Sequence, residues 1–265
     1  MTTFTWIELQ NMKKFCTLLI ALTIGLPGTL LAQPGAETDP EARAINLIDE
    51  MEELYRGDAS KAKITMRVET PQYQRSMEME SSNLGTEKAF IRILSPKKDR
   101  GISTLKIDQE MWNYLPKINK VIKVPPSLMM GSWMGSDFTN DDLVKQTTLT
   151  EEYKLSLAET EDTFIVTLIP REKTITVWGR IEYTINKADK IPVSQGFYDD
   201  RGDLIRSLIF KDPKDFQGRL IPSILEMVPH NKEGHKTVIV YEELDFSPGD
   251  VDESVFSLRN LKKRF

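Results

Sequence analysis

From Ala62 to Phe246 the chain alternates apolar and polar residues in short runs separated by turns, with one long interruption. Side chains on a strand point alternately to two faces, so each run describes a half-buried strand. Ala62, Ile64, Met66 and Val68 alternate with Lys63, Thr65 and Arg67. Shorter runs cover 76–80, 88–94, 104–107, 111–115 and 119–124. After the interruption come 153–157, 164–169, 174–185, 193–198, 204–210, 221–228 and 237–246, with 174–185 showing the clearest alternation. The connections are too short for parallel crossovers, so an antiparallel meander of about ten or eleven strands is expected.

Two segments depart from the strand period. Thr38-Asp39-Pro40-Glu41 supplies a cap, a proline for the first turn and an early acid, and Ala44, Leu47, Ile48, Met51, Leu54 and Tyr55 follow at helical spacing. Gly57 suits the stop. The second segment, residues 125–138, is apolar, glycine-punctuated and too irregular for a strand; Thr139 or Asn140 can then cap a short helix. A long, twisted antiparallel sheet tends to curl, and these two pieces can fill its concave face. The fold class is therefore mainly β with helices (α+β), and an apolar cavity is expected.

Composition narrows the chemistry. Thirty-five Lys and Arg against 40 Asp and Glu leave a net charge of −5, which argues against a general nucleic-acid binder. The single cysteine, Cys16, lies near the amino terminus, within a segment that reads as a secretory signal. Lys13-Lys14 precedes an apolar run from Phe15, and Ala32 offers a small residue before Gln33. Residues 1–32 are expected to be that signal, with cleavage after Ala32 and translation starting at Met12, since Glu8 is out of place in a signal. Residues 33–39 read as a linker and 40–265 as one exported domain. Without Cys16 that domain has no disulfide, no thiolate metal site and no cysteine nucleophile.

His230 and His235 share one turn without acids placed to complete a metal set, so neither a metal nor a cofactor is expected. Gly131-Ser132-Trp133-Met134-Gly135 has the glycines of a nucleophile elbow, but Ser132 is displaced from the centre and no strand-to-helix context surrounds it. Arg201-Gly202-Asp203 reads as a hairpin turn. No catalytic residue is assigned. Met129, Met130, Trp133, Met134 and Phe138 form a flexible apolar cluster suited either to adaptable contact with apolar ligands or to filling the core. Trp112 and Tyr114 share one strand face and fit either a cavity wall or a packing layer.

The order of these parts resembles the LolA-like periplasmic lipoprotein carriers, and especially the outer-membrane lipoprotein-sorting branch. The residues concerned are Ala89–Pro96, Asp99-Arg100-Gly101, Trp112–Pro116, the signature-like stretch Gly131–Leu143, and Asp252–Phe256. The resemblance spans Glu41 to Leu258. It implies an unclosed β-barrel with a helical lid around an apolar cavity, a carrier or sensor of lipid or lipoprotein acyl chains rather than an enzyme, and exchange of cargo with an inner-membrane transporter. Trp112, Tyr114, Met129, Met130, Trp133, Met134 and Phe138 are then the expected cavity and lid residues. The carriers' lid-latching arginine, just before a proline, is unmatched: Ser95 precedes Pro96, and Arg92 lies elsewhere. Two other readings remain open at this level: a non-catalytic accessory subunit of an envelope transporter, and a lipid hydrolase acting through Ser132.

Overall fold

A computed structural model describes residues 39–145 and 149–263; the expected signal and nearly all of the linker lie outside the described residues. Helix α1 (Pro40–Glu53) starts where the cap predicts, with the Asp39 carboxylate accepting the Glu41 N–H. It buries Ala44, Leu47, Ile48 and Met51. Gly57, at φ +55°, takes the left-handed conformation after the last turn, and its N–H donates to the Glu53 carbonyl.

Six strands follow: β1 (Ala59–Glu69), β2 (Gln74–Leu84), β3 (Lys88–Ser95), β4 (Ser103–Ile107), β5 (Glu110–Leu115) and β6 (Lys120–Lys123). After helices α2 (Asn140–Lys145) and α3 (Leu149–Glu152) come β7 (Tyr153–Glu159), β8 (Thr163–Pro170), β9 (Arg180–Asn186), β10 (Pro192–Tyr198), β11 (Leu204–Phe216), β12 (Arg219–Pro229) and β13 (Lys236–Asp245). A short α4 (Leu258–Leu261) follows. The strands form one antiparallel sheet of thirteen strands, ordered β6-β5-β4-β3-β2-β1-β13-β12-β11-β10-β9-β8-β7. It is an unclosed barrel: β6 and β7 are its edges, and residues 124–152 run from one edge to the other.

The sequence pattern differs from the structure most at 174–185. Pairing in β9 begins at Arg180, and Ile175 is 89% exposed while Trp178 is buried. The burial phase inverts at Gly179, where a Cβ would sit 2.7 Å from the Asp199 carbonyl oxygen. The backbone crosses there, and only glycine fits the approach. Beyond it Ile181, Tyr183 and Ile185 point inward as their alternation predicts.

Register places the interior residues in rows across β1 to β5. Ser60, Asn83, Ala89 and Lys106 form one row; Ala62, Ser81, Ile91, Thr104 and Asn113 form the next. The opposite face carries Phe90, Leu105 and Tyr114, covered by Phe256 and Leu261 of the carboxy-terminal segment. The main inner core joins α1 to Tyr153, Leu155, Val166, Leu168, Ile181, Ile185 and Leu208 of β7 to β11.

Candidate binding cavity

Between the inner face of the sheet, α1 and the segment linking β6 to β7 lies a cavity of about 170 Å³. A single water occupies roughly 10–15 Å³ on this scale, so the space is an order of magnitude larger than one water site. Its wall is mainly apolar, with Met51, Ile64, Met79, Ile91, Leu208, Phe210, Leu225 and Ile239 from the helix and both halves of the sheet. Trp133, Phe138 and Leu143 close it from the linking segment.

That segment, here termed the lid (residues 125–145), is shaped by its own polar groups. Asn140 Nδ2 donates to the Leu128 and Gly131 carbonyls at 3.1 Å each. Thr139 and Asp142 cap α2 reciprocally: the Asp142 N–H donates to Thr139 Oγ1 at 3.2 Å, and the Thr139 N–H to Asp142 Oδ2 at 2.7 Å. Trp133 Nε1 donates to Thr104 Oγ1 at 3.1 Å, which ties the lid to β4.

Stronger ties run to the other half of the sheet. Arg206 on β11 makes a bidentate pair with Asp142, at 2.8 and 2.5 Å, with side chains only 5% and 12% exposed. The guanidinium lies 4.6 Å from the Trp178 ring centre and 4.2 Å from that of Phe197. Thr237 Oγ1 on β13 donates to Asp137 Oδ2 at 2.7 Å, and Arg75 Nη1 on β2 donates to the Met134 carbonyl at 3.1 Å.

Part of the cavity wall is polar. Glu52 and Arg56 line it beside Tyr55, Ser81 and Asn83. Arg56 Nη1 donates to the Glu52 carbonyl at 2.7 Å. Glu52 Oε1 is buried without a hydrogen-bond partner. Burial pushes the Glu52 carboxyl up to about 8, against the opposing pull of Arg56. Lys106, in the neighbouring interior row, is 2% exposed and donates to the Thr86 carbonyl at 2.7 Å. Burial, reinforced by Arg56, brings its ammonium down to about 7.

The structure brings some of the sequence-predicted residues together and separates others. Trp133 and Phe138 line the cavity. Met130 packs on the main inner core, Met129 against the cluster of Met111, Val124 and Val144, and Met134 against the cluster around Met66 and Met77. Trp112 and Tyr114 are a correction: the β4–β5 register sets them opposite Leu105 and Ser103, on the face away from the cavity. There Tyr114 Oη donates to Asn119 Oδ1 at 3.1 Å. Arg92 also faces outward, donating to the Asn260 carbonyl at 2.5 Å, so the arginines that hold the lid are Arg206 and Arg75. Ser132 donates its hydroxyl to the Ser136 carbonyl, while His230 Nε2 lies 2.9 Å from Ser207 Oγ. Sequence reasoning missed Glu52, Arg56, Lys106, Asp142 and Arg206. For Glu52 a signal existed, because it follows Ile48 by four residues and so borders the apolar stripe of α1.

Solved structures share this architecture. An outer membrane lipoprotein-sorting protein domain from Vibrio parahaemolyticus superposes with a TM-score of 0.72 at 22% identity, covering 84% of this chain and all (100%) of that one. A DUF1329 family protein from Desulfovibrio piger gives 0.74 at 21% identity, covering 84% of this chain and 100% of that one. A LolA superfamily protein from Nitrosomonas europaea gives 0.67 at 16% identity, with 84% and 99% coverage. No curated protein matches the sequence. A family model described only as an uncharacterized protein matches residues 85–263. The chain belongs to that family, and its fold is the one seen in LolA-superfamily and lipoprotein-sorting domains.

Proposed function

We propose that this protein is an exported, periplasmic carrier that shelters lipid or lipoprotein acyl chains in the cavity under the lid and exchanges them with an envelope transporter. The observation that carries this reading is the apolar space of about 170 Å³ enclosed between the sheet and a segment that joins its two free edges. An acyl chain in water costs about 0.8 kcal/mol per CH₂, so moving one across an aqueous compartment needs a dry container. Shelter requires no bond to be made or broken, so the protein is read as a non-enzymatic binder. The likeness to lipoprotein-sorting domains supports the same reading. Among the described residues no helix is long and apolar enough to cross a membrane, and the amino-terminal address is the route proposed for export.

Titration with a fluorescent fatty acid tests this. Leu143→Asp places a charge on the cavity wall from a half-buried position of α2. It should weaken capture by at least about tenfold, because a filled cavity would leave that charge desolvated, while the melting temperature falls only a few degrees. A collapse of stability with no ligand-specific loss would make the lid core, and the carrier reading would lose its support.

A further inference from the structure

We infer that the corner of the sheet formed by the β3–β4 turn (residues 96–102) and the β5–β6 turn (residues 116–119) docks on an anionic bilayer surface, with its lysines among the lipid head groups and Ile118 seated beneath them. The docking surface does not depend on what fills the cavity.

The two turns stand together. Ser103 pairs with Tyr114 at their base, and a Cβ on Gly101 would sit 3.7 Å from Pro116 Cγ. Lys97 and Lys98 of the first turn, Lys117 of the second and Lys120 at the start of β6 are all exposed, as is Arg100. The one acid in these turns is Asp99, and it lies 2.9 Å from Arg75 Nη2, so that pair adds no net charge. Among the described residues none of the four lysines makes an ion pair. Such a concentration of positive charge runs against the net charge of −5 on the chain. It attracts an anionic surface over a distance of about 10 Å at moderate salt.

Shape and composition favour a bilayer over an acidic protein. Residues 117–120 are exposed one after another, so the turn projects into solvent. Ile118, at 57% exposure, stands between Lys117 and Lys120. A lone exposed isoleucine means little. Ringed by lysines, it matches the order of a bilayer, with charge outside and hydrocarbon within. Lysines are flexible point charges without the rigid fork that arginine offers to fixed carboxylates, and they suit head groups that move laterally. The corner also adjoins the lid, because Arg75 donates to the Met134 carbonyl at 3.1 Å from the same side chain that holds Asp99.

The test is co-sedimentation of protein purified from the envelope with vesicles of phosphatidylglycerol and phosphatidylcholine, against vesicles of phosphatidylcholine alone. The anionic vesicles should bind about tenfold or more tightly, and raising salt from about 0.1 M to about 1 M should remove that advantage. Each lysine near an anionic surface contributes about fivefold, so Lys117→Gln with Lys120→Gln should weaken binding by about twentyfold. Lys97→Gln with Lys98→Gln should do the same from the neighbouring turn, and stands alone should the first pair fail to fold. Ile118→Ser should cost about threefold or more. All of these side chains are exposed, so melting temperatures and fatty-acid capture in solution should hold. Equal binding to both vesicles, or binding to neither, would overturn the docking and leave the carrier reading intact. Wild-type affinity in both lysine pairs would overturn the assignment to this corner, and wild-type affinity in Ile118→Ser would overturn the seating of that side chain. Binding to polyglutamate without binding to vesicles would give the corner to an acidic protein and overturn the bilayer.

Discussion

Glu52 illustrates how one side chain can report on a cavity. It lies one turn after Ile48 on α1, where the helix turns from its core-facing stripe toward the open space under the lid. The folded carboxyl keeps its proton to about pH 8, whereas an unfolded one releases it near its ordinary value of 4.5. Between those values the folded state binds more protons than the unfolded chain, so stability falls as pH rises and the loss is complete above about 8. Lys106 works in the opposite sense. Its folded value of about 7 lies below the ordinary 10.5, so stability rises with pH across that window. Replacing Glu52 with Gln keeps the shape and removes the titration. Thermal melts of Glu52→Gln against wild type should show no gain at pH 4 and a gain that grows steadily to pH 8. A gain independent of pH would mean that the carboxyl is not held neutral by burial.

Among the elements, the lid is the one whose position depends on polar anchors rather than on strand pairing. Arg206 supplies the strongest of these from β11, and Asp142 at the start of α2 receives it. Removing one partner of a buried pair leaves the other charge uncompensated, at a cost of about 3–5 kcal/mol. Arg206→Met should therefore lower unfolding stability by that amount in a denaturant titration, and Arg206→Met with Asp142→Leu should recover most of it. A double variant no better than the single one would show that the arginine acts through its packing between Trp178 and Phe197 instead. Little of this anchoring was legible in the sequence. The strands were, because Ile64, Met66 and Val68, or Ile181, Tyr183 and Ile185, state their inward face by alternation alone. So was α1, from Asp39, Pro40 and the spacing of its apolar residues. Trp112 and Tyr114 share a face, but alternation does not say which face is the inside. That depended on the carboxy-terminal segment folding back over Leu105. Arg206 and Asp142 lie 64 residues apart in the chain, and only the topology brings them together.

At the scale of the whole molecule, the meander leaves β6 and β7 as unpaired edges and lets one segment span the opening between them. A closed barrel of the same strands would need no lid and would offer no gate. On the proposed carrier reading, a chain would enter by movement of residues 125–145 while the core that joins α1 to β7–β11 stays in place. The central claim is that this space holds an acyl chain in the cell. Its most direct test is native mass spectrometry of protein purified gently from its own envelope, alongside the variant Ala89→Phe, whose larger side chain would fill the cavity from β3. The account predicts an acyl-bearing adduct of one ligand per chain on the wild type, absent from Ala89→Phe although that variant remains folded. A bare mass for the wild type, or the same adduct on both proteins, would contradict it.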